Sequence, residues 1–205
     1  MAILQKISNI RSRILQNIAT NGQKLPATAD LSRKSLWGYV AIAFNRVDTD
    51  RQLKVGPDRL CAEWVIKNGG AISTVDSPGR RLHNYNTLPP ENNHFKIKVI
   101  DASNSSIMKI GLDHFKGCNS IDTVILHKCK HLESDGLQGL VHLKKTLKDL
   151  QISACDNISD EGLMVIGELS NLELLKLFEM RYVKDLAKVG ENLKAKLPNC
   201  HMEIK

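Results

Sequence analysis

The chain has 205 residues, of which 42% are hydrophobic and 25% charged, and its net charge is +7. This length is sufficient for one domain whose core is stable without disulfides, and no stretch has the roughly 18 uncharged apolar residues of a membrane-spanning helix. The five cysteines are odd in number and form no C-x-x-C pair. A secreted disulfide framework or a zinc ribbon is therefore not expected.

The first 34 residues carry most of the positive charge. They contain six lysines and arginines against one acid, Asp30, and so hold five of the seven net positive charges. Because the rest of the chain is nearly neutral, we expect no nucleic-acid partner. An apolar stripe at helical spacing lies in the same segment: Ile3, Ile7, Ile10, Ile14 and Ile18. The pattern predicts a mitochondrial transit peptide over residues 1–34. The alternative is an ordinary amphipathic helix, or one that lies on an anionic membrane.

Residues 35–94 predict a small helical N-terminal capping domain with its linker. The clearest helix lies within 55–70, where Pro57 suits the first helical position and Asp58 the first turn. Gly69 is suited to end that helix in the left-handed conformation.

The two ends of this domain are less regular. The polar, proline-containing segment 73–94 predicts a connection with little regular structure. Trp37 and Tyr39 flank a glycine just after the predicted presequence. Such aromatics are typical of water–membrane interfaces and binding surfaces, so we predict that they bind a partner. The alternative places them in the core of the capping domain.

From residue 95 the sequence repeats with a period of about 25 residues. Four apolar trios share the spacing L-x-x-L-x-L and follow one another at steps of 24, 26 and 25 residues: Ile97, Ile100 and Ala102; Ile121, Val124 and Leu126; Leu147, Leu150 and Ile152; Leu172, Leu175 and Leu177. This phrase and this period are those of leucine-rich repeats.

The predicted fold class is therefore α/β, a short leucine-rich-repeat solenoid of the cysteine-containing type. Its units run over about 95–118, 119–144, 145–169 and 170–205. Each unit contributes a strand, near 99–103, 123–127, 149–153 and 174–178, and a returning helix, around 106–117, 134–143, 160–169 and 182–195. Stacked units bury a continuous apolar column, and the capping domain closes its N-terminal end.

Two cysteines lie beside side chains that could act with them, Cys129 between His127 and His131 and Cys155 next to Asp156. Each trio is followed three positions later by a small or soft residue: Ser105, Cys129, Cys155 and Met180. Because Cys129 and Cys155 share a repeat position, we predict that both point into the core, whereas strand alternation turns His127 to the opposite face. No G-x-x-x-x-G-K-[ST], H-E-x-x-H or G-x-S-x-G motif is present. The sequence thus predicts a protein that is not an enzyme.

The outward strand positions predict a partner-binding face of mixed polar and apolar character. Such faces in repeat proteins usually bind other proteins, although an ordinary solvated face is the alternative. The residues that we assign to it are His127, Gln151, Ser153, Lys176 and Phe178, beside Asp101, Ser103 and Ile125.

Three stretches of the sequence resemble one known family. They are "SLWGYVAIAFNRVDTDRQLKVGPDRLCAEWVIKNGGAI", the link "YNTLPP", and "KVIDASNSSIMKIGLDHFKGC". They are similar to mitochondrial ATP synthase subunit s, also called coupling factor B, from about residue 36 to the C-terminus. The resemblance implies a non-enzymatic protein that lies peripherally on the matrix side of the inner membrane. There it would contact membrane-sector subunits of ATP synthase and support proton-coupled ATP synthesis.

The resemblance also implies a magnesium ion bound through backbone carbonyls, at the matching positions Gly69 and Ser103. Ser103 replaces the family's usual threonine, a change that a carbonyl ligand tolerates, and hard cations prefer such oxygens. Where members of the family carry a C-x-C dithiol, this chain has His127, Lys128 and Cys129. Thiol-based regulation at that pair is therefore not expected here.

Two other functions remain open at this point. The family's relatives include assembly factors for the distal membrane arm of respiratory complex I, which makes a paralogous role in complex I assembly one alternative. F-box proteins use the same cysteine-type repeats, so a substrate adaptor for ubiquitin ligation is the other. Against the adaptor, no F-box-like leucine and proline phrase precedes the repeats.

Overall fold

A computed structural model describes residues 33–205, with side chains from Gly38 onward. The predicted transit peptide lies outside the described residues, apart from its last two positions. From Trp37 the chain forms one compact unit. In residues 33–205 no helix is long and apolar enough to cross a membrane.

Three helices come first: α1 (Arg33–Asn45), α2 (Thr49–Val55) and α3 (Pro57–Lys67). The predicted helix in 55–70 is confirmed as α3, with Pro57 in its first turn and Gly69 just beyond its end at φ +91°. Asp58 does more than favour the helix dipole. Its carboxylate accepts hydrogen bonds from Ile97 N (3.0 Å) and from Lys96 Nζ (2.9 Å) and so fixes the start of the next strand.

Seven strands form one sheet in the order β2-β1-β3-β4-β5-β6-β7. They are β1 (Ala71–Thr74), β2 (Ser77–Leu82), β3 (Ile97–Asp101), β4 (Thr123–His127), β5 (Asp149–Ser153), β6 (Leu174–Phe178) and β7 (His201–Ile204). The mixed α/β class is confirmed. The N-terminal region is not purely helical, because β1 pairs antiparallel with both β2 and β3.

The prediction of little regular structure over 73–94 was wrong for its first part. β2 forms there despite Pro78 and Gly79, since an edge strand can place a proline where no ladder hydrogen bond is needed. The C-terminal strand β7 was also not predicted, because it is only four residues long and has no apolar trio.

Strands β3 to β7 run parallel to one another. The predicted positions of β4, β5 and β6 are confirmed, and their in-register pairing aligns Val124 with Leu150 and Leu150 with Leu175. β3 begins and ends two residues earlier than predicted. The antiparallel neighbour β1 pairs with it from Ile97 onward and so extends it toward its N-terminus.

The returning segments are tighter than the α-helices that we predicted for 106–117, 134–143 and 160–169. The first two are 3₁₀ helices, Lys109–Phe115 and Ser134–Leu143, and the third joins one α-turn, α4 (Asp160–Leu163), to a 3₁₀ turn, Met164–Glu168. Close packing explains the difference. A Cβ on Gly139 would lie 2.4 Å from Leu112 Cβ, so adjacent segments touch with no room for a side chain between them. The fourth is α-helical, α5 (Leu186–Lys196), and begins four residues later than predicted.

A left-handed residue follows each of the four repeat strands, and none of them is glycine. Their φ angles lie between +51° and +58°: Asn104, Lys128, Ala154 and Glu179. In the first three, the amide donates to the carbonyl at the end of the next repeat's strand, at 2.8, 2.9 and 3.2 Å. Stacking therefore stabilises a conformation that ordinarily costs an L-residue roughly 1–2 kcal/mol.

One buried side chain joins α1 to the rest of the unit. The Asn45 carbonyl oxygen accepts from Trp64 Nε1 (3.1 Å) and from Met108 N (2.9 Å). Its amide nitrogen donates to Asn68 Oδ1 (3.0 Å) and to Ser106 O (3.1 Å). Since Asn45 has no exposed surface, these bonds replace solvent completely.

A second polar cluster holds the segment after β2. The buried Glu63 carboxylate accepts from Arg51 (2.7 Å), Arg59 (3.1 Å) and the Tyr85 hydroxyl (3.1 Å), and Arg51 also pairs with Glu91 (2.6 Å). Burial alone would raise the pKa of Glu63, but the hydrogen bonds from the two arginines hold it below its ordinary value. The segment contains one short 3₁₀ turn, Tyr85–Thr87, and charged hydrogen bonds tie it to α2 and α3.

Candidate partner-binding face

The open face of the sheet carries its outward side chains in rows across the strands. A row at the strand starts aligns Val99, Thr123, Asp149, Leu174 and His201, and two rows nearer the strand ends hold the predicted residues. The register aligns Asp101, Ile125, Gln151, Lys176 and Glu203 in the first of these two rows. It aligns His127, Ser153 and Phe178 in the second row, at the ends of β4, β5 and β6. Between these positions Leu126 and Ile152 are buried on the other side, as strand alternation requires.

Charges flank the two rows nearer the strand ends, and Asp149 of β5 lies in the row at the strand starts. At one side Arg81 pairs with Asp101 (2.7 Å), and at the other Lys176 pairs with Glu203 (3.4 Å). The uncharged centre, which we call the central face, consists of Ile125, His127, Gln151, Ser153 and Phe178.

Ser153 is not exposed at the surface, contrary to what we expected of a partner-binding residue. It points to the predicted side, but its side chain is fully buried beneath its neighbours. Its Oγ lies 2.9 Å from His127 Nδ1 and accepts from Gln151 Nε2 at 3.1 Å. The short serine side chain cannot reach past these two longer ones. Ser153 therefore orients His127 and Gln151, both of which are half-buried.

This network fixes the orientation of the imidazole. Gln151 donates to Ser153 Oγ, and the same oxygen lies within hydrogen-bond distance of His127 Nδ1. Nε2 is therefore the ring nitrogen that points away from Ser153. The Phe178 ring lies beside the imidazole, with 6.5 Å between their centroids. His127 thus offers a partner one oriented ring nitrogen, Nε2, next to an aromatic surface.

The predicted aromatic pair lies on α1, within "LWGYV". Tyr39 is 51% exposed, and on the same helix Phe44 is 50% exposed and Ile42 37%. The side chain of Trp37 lies outside the described residues. Tyr39 is therefore not core of the capping region, whereas its role in binding a partner remains a prediction.

Cys129 and Cys155 are core residues, as predicted. Their thiols donate to carbonyl oxygens of the preceding repeat, Cys129 to Ala102 (3.2 Å) and Cys155 to Leu126 (3.4 Å), and both side chains are buried. The hydrogen bond with Cys155, together with burial, raises the pKa of the Cys129 thiol. The thiols are therefore structural in this arrangement and do not converge with the imidazole of His127.

The two residues that the resemblance assigns to magnesium flank one antiparallel strand pair. β1 and β3 pair Ala71 with Asp101. Gly69 lies two residues before β1 begins, in the turn that ends α3, and Ser103 lies two residues after β3 ends. Carbonyl oxygens and the nearby Asp101 carboxylate are ligand types that suit a hard cation. However, Asp101 already pairs with Arg81 and accepts from Ser103 N (3.0 Å). Among residues 33–205, no three His, Cys, Asp or Glu side chains cluster as metal ligands.

Comparison with characterised proteins places the chain in a family. It is 35% identical over 186 residues to mitochondrial ATP synthase subunit s of Mus musculus, and the match spans 89% of this chain and 92% of that protein. The chain belongs to the ATP synthase subunit s family. The subunit s proteins of Homo sapiens and Bos taurus are 34% and 33% identical over the same shares of both chains. No protein-family model matches the chain.

The subunit s relationship extends beyond the repeats. Because the match covers nearly nine-tenths of the chain, it includes the helical region and the antiparallel strands as well as the parallel ones. Shared repeats alone would not require that extent. The resemblance drawn from the sequence is thereby confirmed at the level of the subunit s family.

Proposed function

We propose that this chain is a non-enzymatic accessory factor of mitochondrial ATP synthase that supports proton-coupled ATP synthesis. The observation that carries the proposal is the similarity to proteins named ATP synthase subunit s, which extends over almost the full length of both aligned chains. The described residues add an uncharged patch on the sheet, the central face, that suits a protein partner, together with cysteines that are buried in the core.

The same proposal includes the architecture. We assign the parallel strands and their returning segments to a leucine-rich-repeat stack with the segment before β3 as its cap. Three features support this assignment: steps of 24 to 26 residues, in-register parallel pairing, and a recurrent left-handed residue after each strand.

Co-purification is the experiment that tests the function. The tagged full-length chain, expressed in cells that lack the endogenous copy, should elute with membrane-sector subunits of ATP synthase after mild detergent extraction. Elution with complex I assembly intermediates instead would contradict the proposal and favour the assembly role. Elution with a ubiquitin-ligase scaffold would contradict both mitochondrial assignments.

We further assign the protein to the matrix side of the inner membrane, bound peripherally. Two observations support this location: the acid-poor, basic segment over residues 1–34 and the mitochondrial relatives. Deleting residues 1–34 should abolish import into isolated mitochondria, while carbonate extraction should release the imported full-length chain from the membrane. Persistent import of the truncated chain, or resistance to carbonate, would contradict the assignment.

We retain magnesium as a proposed weak ligand at the Gly69 and Ser103 carbonyls. When bound there, the ion would link the start of β1 to the end of β3. Backbone ligands predict that Ser103→Ala leaves Mg²⁺ binding unchanged, as measured by titration calorimetry. Gly69→Ala should weaken binding, because φ +91° strains a residue that has a Cβ. Equal binding by both variants and the parent chain would contradict these positions.

A further inference from the structure

The two edges of the sheet differ in how they are protected. One edge is β2, whose sequence "SPGRRL" contains a proline, a glycine and two arginines, residues that hinder the addition of another strand. The other edge is β7, whose sequence "HMEI" contains no proline. Among residues 33–205, no strand pairs with the outer side of β7.

Specific backbone groups of β7 point to this open edge. His201 N donates to Glu173 O (2.8 Å) and Lys205 N to Leu177 O (3.0 Å), so the odd-numbered residues bond to β6. Because successive residues of a strand direct their amides to opposite sides, the N–H and C=O groups of Met202 and Ile204 face outward. These are the groups that a further strand would use.

A hollow lies along the same edge. It measures about 580 Å³, is open to solvent, and is bounded by β7 and α5. Met202 and Ile204 form its apolar side, and Gly190 brings α5 so close that an added Cβ would lie 2.6 Å from Ile204 Cδ1. Glu191 stands at its rim and makes no ion pair within the described part of the chain. Lys194 of α5 lines the same hollow and offsets the charge of Glu191. The hollow therefore suits an apolar side chain.

We propose that β7 accepts an extended segment of a partner protein as an eighth strand. The segment would bond to the outward groups of Met202 and Ile204 and place an apolar side chain in the hollow. The occupant is a partner rather than a second copy, because two four-residue strands bury far less than the roughly 1,200 Å² of a stable interface. A partner on the central face reaches this edge without interruption, since Glu203 of β7 lies in register with Lys176.

The inference rests on the proposed function for the identity of the partner, and chemical ligation allows a direct test. Cys200 immediately precedes β7, so a synthetic Cys200–Lys205 peptide can be joined to residues 1–199 to give the full chain. N-methylation of Met202 then removes one outward donor and leaves every side chain unchanged. The matched controls are the unmodified ligated chain and an N-methyl group on Glu203, whose amide faces β6.

The probe is detergent-solubilised mitochondrial ATP synthase purified from cells that lack this chain. N-methyl-Met202 should weaken binding by about tenfold, because a backbone hydrogen bond is lost and the edge is blocked. It should leave thermal stability unchanged, whereas N-methyl-Glu203 should lower it. Hydrogen exchange at Met202 and Ile204 should be fast in the free chain and slow in the complex.

The outcomes separate the two proposals. If the unmodified ligated chain does not bind ATP synthase, the proposed function fails and this inference fails with it. If it binds but N-methyl-Met202 binds equally well, the edge proposal alone is overturned. Slow exchange at Met202 in the free chain would also overturn it, since the edge would then be covered by residues 1–32 or by a second copy.

Discussion

Replacing Asn45 by alanine should destabilise the protein more than any exposed polar substitution. The side chain is fully buried and joins α1, α3 and the segment after β3 through hydrogen bonds of 2.9 to 3.1 Å. Truncation leaves two buried donors without an acceptor, Trp64 Nε1 and Met108 N. Each such group costs about 1–3 kcal/mol, so we expect a loss of about 3–5 kcal/mol in the free energy of unfolding.

Urea unfolding followed by far-ultraviolet circular dichroism measures this loss. The matched control is Asn84→Ala, which removes an exposed asparagine that accepts from Asn86 N (3.0 Å) and should cost about 1 kcal/mol or less. A loss below about 1 kcal/mol for Asn45→Ala would refute the reasoning. It would mean that water or a rearranged neighbour satisfies Trp64 and Met108 as well as the amide does.

Three further changes have signed expectations in the same assay. Ala154→Gly should stabilise the chain by about 0.5–1 kcal/mol because it relieves a φ of +51°. The control Ala195→Gly in α5 should destabilise the chain. Loss of stability in both variants would contradict the turn geometry. Glu63→Gln should lower the free energy of unfolding by about 3 kcal/mol, because it leaves the buried charge of Arg59 poorly compensated. The control Glu173→Gln, at an exposed ion pair, should lower it by about 0.5 kcal/mol. Equal losses would contradict a stabilising role for the ion pairs of Glu63. Burial lowers the pKa of His114, so the unfolded chain binds a proton at this residue more readily than the folded chain does. The free energy of unfolding should therefore fall by up to about 1.4 kcal/mol per pH unit as the pH drops below 6.5. His114→Gln should reduce this dependence on pH, and an unchanged dependence would contradict the role of His114.

The repeat region was predictable because its information is local. Apolar trios at a fixed period located β4, β5 and β6, and the shared repeat position placed Cys129 and Cys155 in the core. Both predictions need only strand alternation and stacking, which act between near neighbours in the chain or in the adjacent repeat.

The capping region was less predictable because its contacts are long-range. β2 is stabilised by its pairing with β1, and no pattern in "SPGRRL" predicts a strand. The hydrogen bonds of Asn45 to Ser106 and Met108 likewise join residues more than sixty positions apart. The returning segments are 3₁₀ rather than α because glycines such as Gly139 permit a closer stack than helical periodicity alone indicates.

The candidate site was likewise predictable only in part. Sequence alternation placed His127, Gln151, Lys176 and Phe178 on one face, and the register bears out that arrangement. It could not show that Ser153 is buried, because that depends on the lengths of the side chains that cover it. Nor could it show that Arg81 pairs with Asp101, since the strand that carries Arg81 was not recognised.

The central claim is that the central face binds ATP synthase, and the affinity of His127→Ala tests it most directly. Binding of the purified chain to detergent-solubilised ATP synthase can be followed by biolayer interferometry. His131→Ala is the matched control, an exposed histidine four residues away and beyond the end of β4. We predict that His127→Ala weakens binding by about tenfold or more with unchanged stability, and that His131→Ala binds like the parent chain. Equal affinity of both variants and the parent would contradict the claim.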